Sequence, residues 1–398
     1  MYNLEKVMSK RINKVVVVLS HLPWDFPCDY IKQTSLELAK KSRVIVFSPL
    51  NFPTLKQVLF DRGIRENFLL QFKEKKVCSF PSLAYIPFRR IDFVRKLNLN
   101  LNLLFFRFFY RLKFGNISPV FWAFSYQLSE IANFFSWGRT LVYDRVDQIA
   151  SLDAEEDKIA RRQDRVLLKA ADFVFTNSPY GLDYIKKFNR NSFLVPCGCN
   201  VDLFLGKRPK TPKELAAIKS PKIGLVGSID HRVNFKILYS LAKKRKDWNF
   251  VFVGKPFSDQ FAQFEAVRLK EKVAKFKSFA NVFFLGQKPK ERMPEFIGAF
   301  DVCLIPYDAS QEFVKGCNPM KLYEYLAMGK PVVSCPIEAV KVYSPTVAIA
   351  DSTADFEKAI EGFLKQADDQ ETKERRIKIA RDNSWEEKIG MMWDKLDN

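Results

Sequence analysis

The chain has 398 residues, 47% of them hydrophobic, and 65 Lys and Arg against 45 Asp and Glu give a net charge of +20. At roughly 150 residues per domain this length allows two or three domains, and the apolar fraction excludes disorder as the overall state. Seven scattered cysteines and two histidines exclude a disulfide framework and argue against a structural zinc site, while the excess positive charge favours anionic partners.

The opening stretch, MYNLEKVMSKRINKVVVVLS, contains an apolar run too short to span a membrane and no cleavage region after it. Val15 to Leu19 is therefore predicted as a first buried strand, and the protein is expected in the cytoplasm, with peripheral attachment to the inner face of the membrane. His21 ends that strand in the loop HLPWDFPCD, where it and Trp24 are candidates for touching substrate. YIKQTSLELAKK reads as a helix and RVIVFSP as the next strand.

Residues 73–115 hold ten basic residues against two acidic ones. Within them, FRRIDFVRKLNLNLNLLFFRFFYRLKFG mixes Arg and Lys with Leu and Phe. This predicts a segment lying on an anionic membrane surface. Arg89, Arg90, Arg95 and Lys96 would meet lipid phosphate, while Phe105, Phe106, Phe108 and Phe109 enter the headgroup region. The other reading is an internal helix with a solvated basic face.

Strands and helices then alternate: TLVYD, the helix AEEDKIARRQDRVLLKAA, the strand DFVFTN, the helix SPYGLDYIKKF and the strand SFLVPCG. Apolar β-branched strands separated by helices indicate a parallel sheet. A first domain is expected over residues 1–205. Asp144 and Asp147 follow TLVY; either one orients an acceptor hydroxyl, binds a transient metal or caps the next helix. A basic linker with prolines covers 206–220.

The rhythm restarts in a second domain, 221–370, with PKIGLVGSID, NFKILYSLAKKR, NFVFVG, NVFFLG, PEFIGAF, DVCLIPY and PVVSC. Two βα modules in tandem imply a cleft, with ligands at the carboxyl ends of the strands. The tail, 371–398, is helical and charged. Its face of Trp385, Ile389, Met392, Trp393 and Leu396 needs a partner surface, for which the first domain is one solution.

The densest motif is Asn318-Pro319-Met320-Lys321-Leu322-Tyr323-Glu324-Tyr325-Leu326-Ala327-Met328-Gly329-Lys330-Pro331. Pro319 suits a first helical turn and Asn318 suits a cap. N–H groups beyond the cap would favour a phosphate, with Lys321 one turn in. Glu324 shares a side with Lys321 and would accept from ribose hydroxyls. The bland reading is a capped surface helix with ordinary charges. Gly224 and Gly227 flank a strand end, where close approach to a ligand, packing and a turn all remain open. GLVGS is not the dinucleotide fingerprint.

The run NPMKLYEYLAMGKPVV resembles the donor-site helix of GT-B glycosyltransferases of the family-four group, in particular the bacterial exopolysaccharide and teichuronic-acid type. The resemblance extends through LVYDRVD, KAADFVFTNSPYGLDYI, VPCGCNVDLF, PKIGLVGSIDHRVNFKILYSLAKKRKDWNFVFVG, NVFFLGQKPKERMPEFIGAFDVCLIPY and NSWEEKI, and is weakest between about 50 and 120. It implies an α/β GT-B fold, two Rossmann-like domains facing a central cleft. It implies a nucleotide-diphosphate sugar as donor, a glycan or lipid-linked acceptor, retention at the anomeric carbon, no cofactor and no metal.

On this resemblance, Gly227, Ser228 and Asp230 approach the diphosphate, Arg232 is the phosphate-side arginine and Lys321 assists it. Glu324 binds ribose. Gln287 and Lys288 edge the base, with Arg292 at its border; Asn318 and Met320 complete the donor set. Arg232, Lys321, Asp144 and His21 form the expected catalytic set, with His231 either near the leaving diphosphate or closing its loop. Many members carry a second glutamate eight positions before Glu324. Here that position is Gly316, with Lys315 and the backbone of Gly316 and Cys317 as substitutes. The alternatives are a UDP-sugar epimerase of similar architecture and a degenerate sugar-nucleotide-binding subunit. No RNA-binding module, recognition helix or zinc finger supports a specific nucleic-acid partner.

Overall fold

The computed structural model describes residues 14–20, 29–49, 71–74, 77–80, 86, 91–138, 140–146, 148–149, 154–205, 209–255, 263–366 and 369–397. His21, Trp24, Arg89, Arg90 and Asp147 lie outside the described residues. The chain divides into two compact units, the first comprising Met1–Asn177, Gly181–Val195 and Ile389–Asn398, the second Ser178–Tyr180 and Pro196–Lys388.

The first unit is built on an eight-stranded sheet of β1 (Val15–Leu19), β2 (Arg43–Phe47), β3 (Gln71–Glu74), β4 (Val77–Phe80), β5 (Val120–Ala123), β6 (Thr140–Arg145), β7 (Phe173–Thr176) and β8 (Ser192–Leu194). Their order is β3-β4-β2-β1-β5-β6-β7-β8. Every pairing is parallel except β3 on β4. The sequence VVVVL of β1 follows from its place. A central strand covered on both faces has no solvent side, so it reads as an unbroken apolar run, and all five residues are buried.

The helix Asp92–Phe114 packs on this sheet through Leu99, Leu103, Phe106 and Tyr110, a three- and four-residue rhythm. The Phe106 ring stacks on Phe47, with centroids 4.4 Å apart. Phe106 is therefore a core residue and cannot enter a headgroup layer, and Phe109 is half-buried against the same core. Arg95 pairs with Asp92 and Glu130, and Lys96 with Asp92, so their charges are answered within the protein. Of the four aromatics assigned to lipid from the sequence, only Phe105 and Phe108 are exposed. Deeper in the unit, the carboxylate of Asp164 accepts from Arg145 Nε at 3.1 Å and Tyr143 Oη at 2.8 Å, so a buried charge is both paired and hydrogen-bonded.

The second unit has a six-stranded, all-parallel sheet of β9 (Lys222–Val226), β10 (Asn249–Val253), β11 (Val282–Phe284), β12 (Val302–Ile305), β13 (Val332–Ser334) and β14 (Ala348–Ile349), in the order β11-β10-β9-β12-β13-β14. From β9 the chain proceeds to β10 on one side and later returns to β12 on the other. Carboxyl ends of strands at such a reversal are where open α/β sheets bind ligands. Local signals start the helices: Asn234 caps Phe235–Lys244, Ser352 and Asp355 form a capping box on Thr353–Lys365, and Asp369 caps Gln370–Asp382. The last helix, Trp385–Asp397, begins in the second unit and ends in the first. Its predicted apolar face is covered: Trp385, Ile389, Met392 and Trp393 are buried. A side chain at Gly198 would come within 2.5 Å of the Trp385 ring.

Gly224 lies inside β9, where a Cβ would overlap the ring of buried Phe300. Gly362, inside Thr353–Lys365, has open space around it. Gly224→Ala is expected to destabilise the fold by about 3 kcal/mol through overpacking. Gly362→Ala should leave stability unchanged or raise it by about 0.5–1 kcal/mol through helix propensity. Urea unfolding of both variants measures this; equal effects would remove close packing as the reason for Gly224.

Candidate active site

The loop after β9 and the loop after β12 are zipped together. Asn234 N–H donates to Pro306 O at 2.8 Å, Asp308 N–H to Arg232 O at 2.7 Å, and Val233 bridges Tyr307. Gly227 opens the first loop with φ +95°, a conformation side chains rarely adopt, and its N–H donates to Val253 O at 2.9 Å. Gly254, after β10, lies so close that a Cβ there would overlap the carbonyl of Gly227. Three strand ends thus converge on one small patch of backbone.

The helix Met320–Ala327 is fixed beside this patch by its apolar and aromatic residues. Leu322, Tyr323, Tyr325, Leu326 and Ala327 are buried. The two tyrosines anchor it to different parts of the unit. Tyr325 Oη accepts the N–H of Val226, the last residue of β9, at 2.9 Å. Tyr323 Oη donates to Asn318 Oδ1 at 3.0 Å and meets the Tyr343 hydroxyl at 3.3 Å. The sequence reading of Asn318 as the cap is therefore corrected. Pro319 occupies the cap position without a side-chain bond, because the Asn318 carbonyl oxygen is engaged by Tyr323. At the other end Gly329 turns the chain at φ +67°, and its carbonyl accepts from buried Arg376 Nη1 at 2.9 Å. Lys330 Nζ donates to the carbonyls of Gly298 and Phe300, at 2.6 and 2.8 Å, closing the end of the neighbouring helix Met293–Gly298.

With these anchors set, the two charged residues of the helix have defined positions. Lys321 Nζ lies 5.3 Å from the Tyr307 ring centroid and 3.3 Å from where a Gly227 Cβ would be. That ammonium is buried and makes no hydrogen bond in the protein. Glu324, also buried, pairs with Lys290 from the segment after β11.

Asp230 and Arg232 engage one another: Arg232 Nε and Nη2 donate to the two Asp230 oxygens, at 2.9 and 2.5 Å. The guanidinium also lies over the rings of Tyr307 and Phe313, at 5.2 and 5.7 Å. Burial alone would raise the Asp230 carboxyl, but the hydrogen bonds and charge of Arg232 prevail and hold it below the usual range. His231, between them, sets its ring against Phe313, and its carbonyl accepts from Gln311 Nε2 at 3.0 Å. The structure thus gathers Gly227, Ser228, Asp230, Arg232, Lys321 and Glu324 around one switch point. Met320 opens the same helix, half-buried. Gln287 is exposed after β11, Lys288 pairs with Glu214 at 3.1 Å, and Arg292 with Glu295 at 2.9 Å.

Residues 220–366 match the family described as glycosyl transferases group 1. A protein of Bacillus subtilis strain 168 named as a teichuronic acid biosynthesis glycosyltransferase, TuaH, is 26% identical over 273 residues, covering 64% of this chain and 66% of that protein, just under two thirds of its length. Among solved structures, sucrose-phosphate synthase from Thermosynechococcus elongatus superimposes with a TM-score of 0.70 at 17% identity, over 96% of this chain and 99% of that one. HepE of Anabaena, solved with UDP and glucose, gives 0.63 at 14% identity over 97% and 99%. A trehalose-phosphate synthase from Burkholderia xenovorans, solved with glucose 6-phosphate, gives 0.67 at 10% identity over 97% and 100%.

The second half carries a glycosyl transferases group 1 domain, and the chain as a whole has the GT-B fold. In this fold the two sheets are the two Rossmann-like halves, and the family match covers the half that carries the Gly227 loop and the motif helix.

Asp144, near the end of β6 in the other half, is not an open strand-end carboxylate. It is 1% exposed, and its oxygens accept from Tyr30 Oη at 3.1 Å and Trp122 Nε1 at 3.2 Å. Burial pushes its carboxyl up to about 7, outweighing the lowering effect of the two hydrogen bonds. The residues that sequence reasoning missed are Lys290, Tyr307, Phe313 and Gly254. Only Gly254 had a local signal, as the glycine ending the strand NFVFVG.

A carboxyl raised above its unfolded value of 3.8 binds more protons folded than unfolded. Its stabilising contribution is present below about pH 4 and lost as pH rises through about 7. Stability should fall on the order of 3 kcal/mol across that window. Asp144→Asn should abolish this part of the slope. Urea unfolding at pH 5 and pH 8 checks it; parallel losses in wild type and variant would assign the dependence elsewhere.

Proposed function

We propose that this glycosyltransferase transfers a sugar from a uridine-diphosphate sugar to a hydroxyl of a glycan or lipid-linked acceptor, in cell-envelope or extracellular polysaccharide synthesis. Transfer proceeds with retention and without a metal ion. The observation that carries this reading is the Lys321 ammonium, buried beside the Gly227 loop without an acceptor in the protein. A buried cation lacking an acceptor is unfavourable by several kcal/mol on the scale of about 2–7 kcal/mol for unpaired polar groups. A diphosphate at the strand ends would supply the missing acceptors. HepE, with UDP and glucose, and the teichuronic-acid relative support the donor class and the pathway.

In this reading the labour is divided by charge. Asp230 largely neutralises Arg232 while holding it over Tyr307 and Phe313, so Arg232 positions the diphosphate through its remaining Nη1 edge. Lys321 carries the uncompensated positive charge that meets the growing charge on the leaving group. Glu324, oriented by Lys290, accepts from the ribose hydroxyls. The leaving phosphate helps take the acceptor proton in a front-face attack, unlike the two-carboxylate scheme of glycoside hydrolysis.

Lys321→Met keeps the shape and removes the charge. It is expected to weaken binding of the UDP-sugar about 100-fold, on the order of 3 kcal/mol for a lost buried charge contact. The same substitution should raise stability of the free protein by about 1 kcal/mol, since an unpaired buried ammonium is gone. Titration calorimetry with a panel of UDP-sugars, together with urea unfolding, reads both. Unchanged donor affinity would take Lys321 out of the phosphate site. Wild-type protein that binds a donor yet never transfers it would instead favour a degenerate sugar-nucleotide-binding subunit, in keeping with Gly316.

A further inference from the structure

The helix Asp92–Phe114 is apolar on two opposite faces. One face is sealed in the core by Leu99, Leu103, Phe106 and Tyr110. The other carries Phe93, Leu101, Leu104, Phe105, Phe108 and Leu112. Four of these are strongly exposed: Phe93 at 74%, Leu104 and Phe108 at 63%, and Leu112 at 71%. At 3.6 residues per turn the six fall within about one third of the helix circumference and extend roughly 30 Å along its axis. Single exposed apolar residues are ordinary on a protein surface, but a continuous stripe of this length marks a binding face.

What covers the stripe is indicated by the charges along it. Lys96, Arg107 and Arg111 follow one margin of the stripe at helical spacing. The only acid in the helix, Asp92, sits at its first residue and answers Arg95 and Lys96. Arg107 and Arg111 have neutral neighbours instead: both lie over the Trp137 ring, at 5.5 and 5.9 Å, and Arg111 Nη1 donates to Asn116 Oδ1 at 2.8 Å. Their positive charge is therefore available to an outside anion. A second copy of a chain with net charge +20 would bring like charge to this margin, which opposes self-association here. Among the described residues no helix is long and apolar enough to cross a membrane. A helix with this pattern lies in the plane of an interface, apolar stripe inward and arginines at the phosphates.

We propose that the outer face of the helix Asp92–Phe114 seats the protein on an anionic bilayer, with Leu104, Phe108 and Leu112 inserted and Arg107 and Arg111 at the lipid phosphates. This assignment does not depend on the donor chemistry, and none of these residues belongs to the candidate active site.

Flotation of the intact protein with vesicles of phosphatidylglycerol and phosphatidylcholine tests it, with pure phosphatidylcholine vesicles as the neutral control. Wild type should float with the anionic vesicles and hardly at all with the neutral ones. The triple variant Leu104→Ser, Phe108→Ser, Leu112→Ser should lose about tenfold or more of that binding. The double variant Arg107→Gln, Arg111→Gln should lose several-fold, with less response to added salt. UDP binding and the thermal midpoint should be unchanged in both, because the altered side chains are exposed. Wild type that ignores anionic vesicles, or a triple variant that floats like wild type, would overturn the proposal. A wild-type dimer that the triple variant dissociates, with vesicle binding unaffected, would also overturn it and give the face to a second copy.

Discussion

One cation held away from water organises the second half of this protein. Holding Lys321 there takes a rigid support, and that requirement explains much of the surrounding sequence. The helix that bears it is short, and helices of this length have little stability of their own. It stands because Tyr325 ties it to the end of β9, Tyr323 ties it to Asn318 and Tyr343, and Arg376 holds its last turn. Apolar side chains at 322, 326 and 327 bury the rest. The helix is thus a list of anchors, with Lys321 and Glu324 as its two charged side chains directed at neighbouring loops.

The opposite side of the site is made of backbone. Gly254 lets the ends of β9 and β10 approach more closely than any side chain there would permit, and Gly227 supplies the turn at φ +95°. Bonds between the 227–234 loop and the 306–308 loop then fix the distance between the ends of β9 and β12. A preorganised site of this kind needs little rearrangement when charge develops on a bound group, which is where electrostatic stabilisation is most effective.

Much of this was legible in the sequence, for a physical reason. Parallel strands covered on both faces appear as unbroken runs such as VVVVL, so the βα rhythm and both halves could be read directly. The density of NPMKLYEYLAMGKP singled out the helix Met320–Ala327, because its anchors and its charges are adjacent in the chain. What escaped was contact across distance. Lys290 reaches Glu324 over 34 positions, and Tyr307 meets Lys321 only because β12 lies beside β9. Asn318 looked like a cap because its neighbours are a proline and a helix; the hydroxyl that engages it comes from five residues later. In residues 92–114 the aromatic cluster was noted, but its helical phase was not. That phase alone separates Phe106 in the core from Phe108 at the surface.

The last helix has a bearing on how the molecule is made. Its first turn belongs to the second unit, yet residues from Ile389 onward belong to the first. There Lys14, just before β1, forms an ion pair with Asp397 and lies 5.4 Å from the Trp393 ring. Domains usually fold in order as they leave the ribosome. Here the first half cannot close its surface until the whole second half has been synthesised. The nascent amino-terminal sheet must wait, with the Trp393 site uncovered, for a segment that follows the second half in the chain. Completion of the older half is thereby coupled to completion of the younger one.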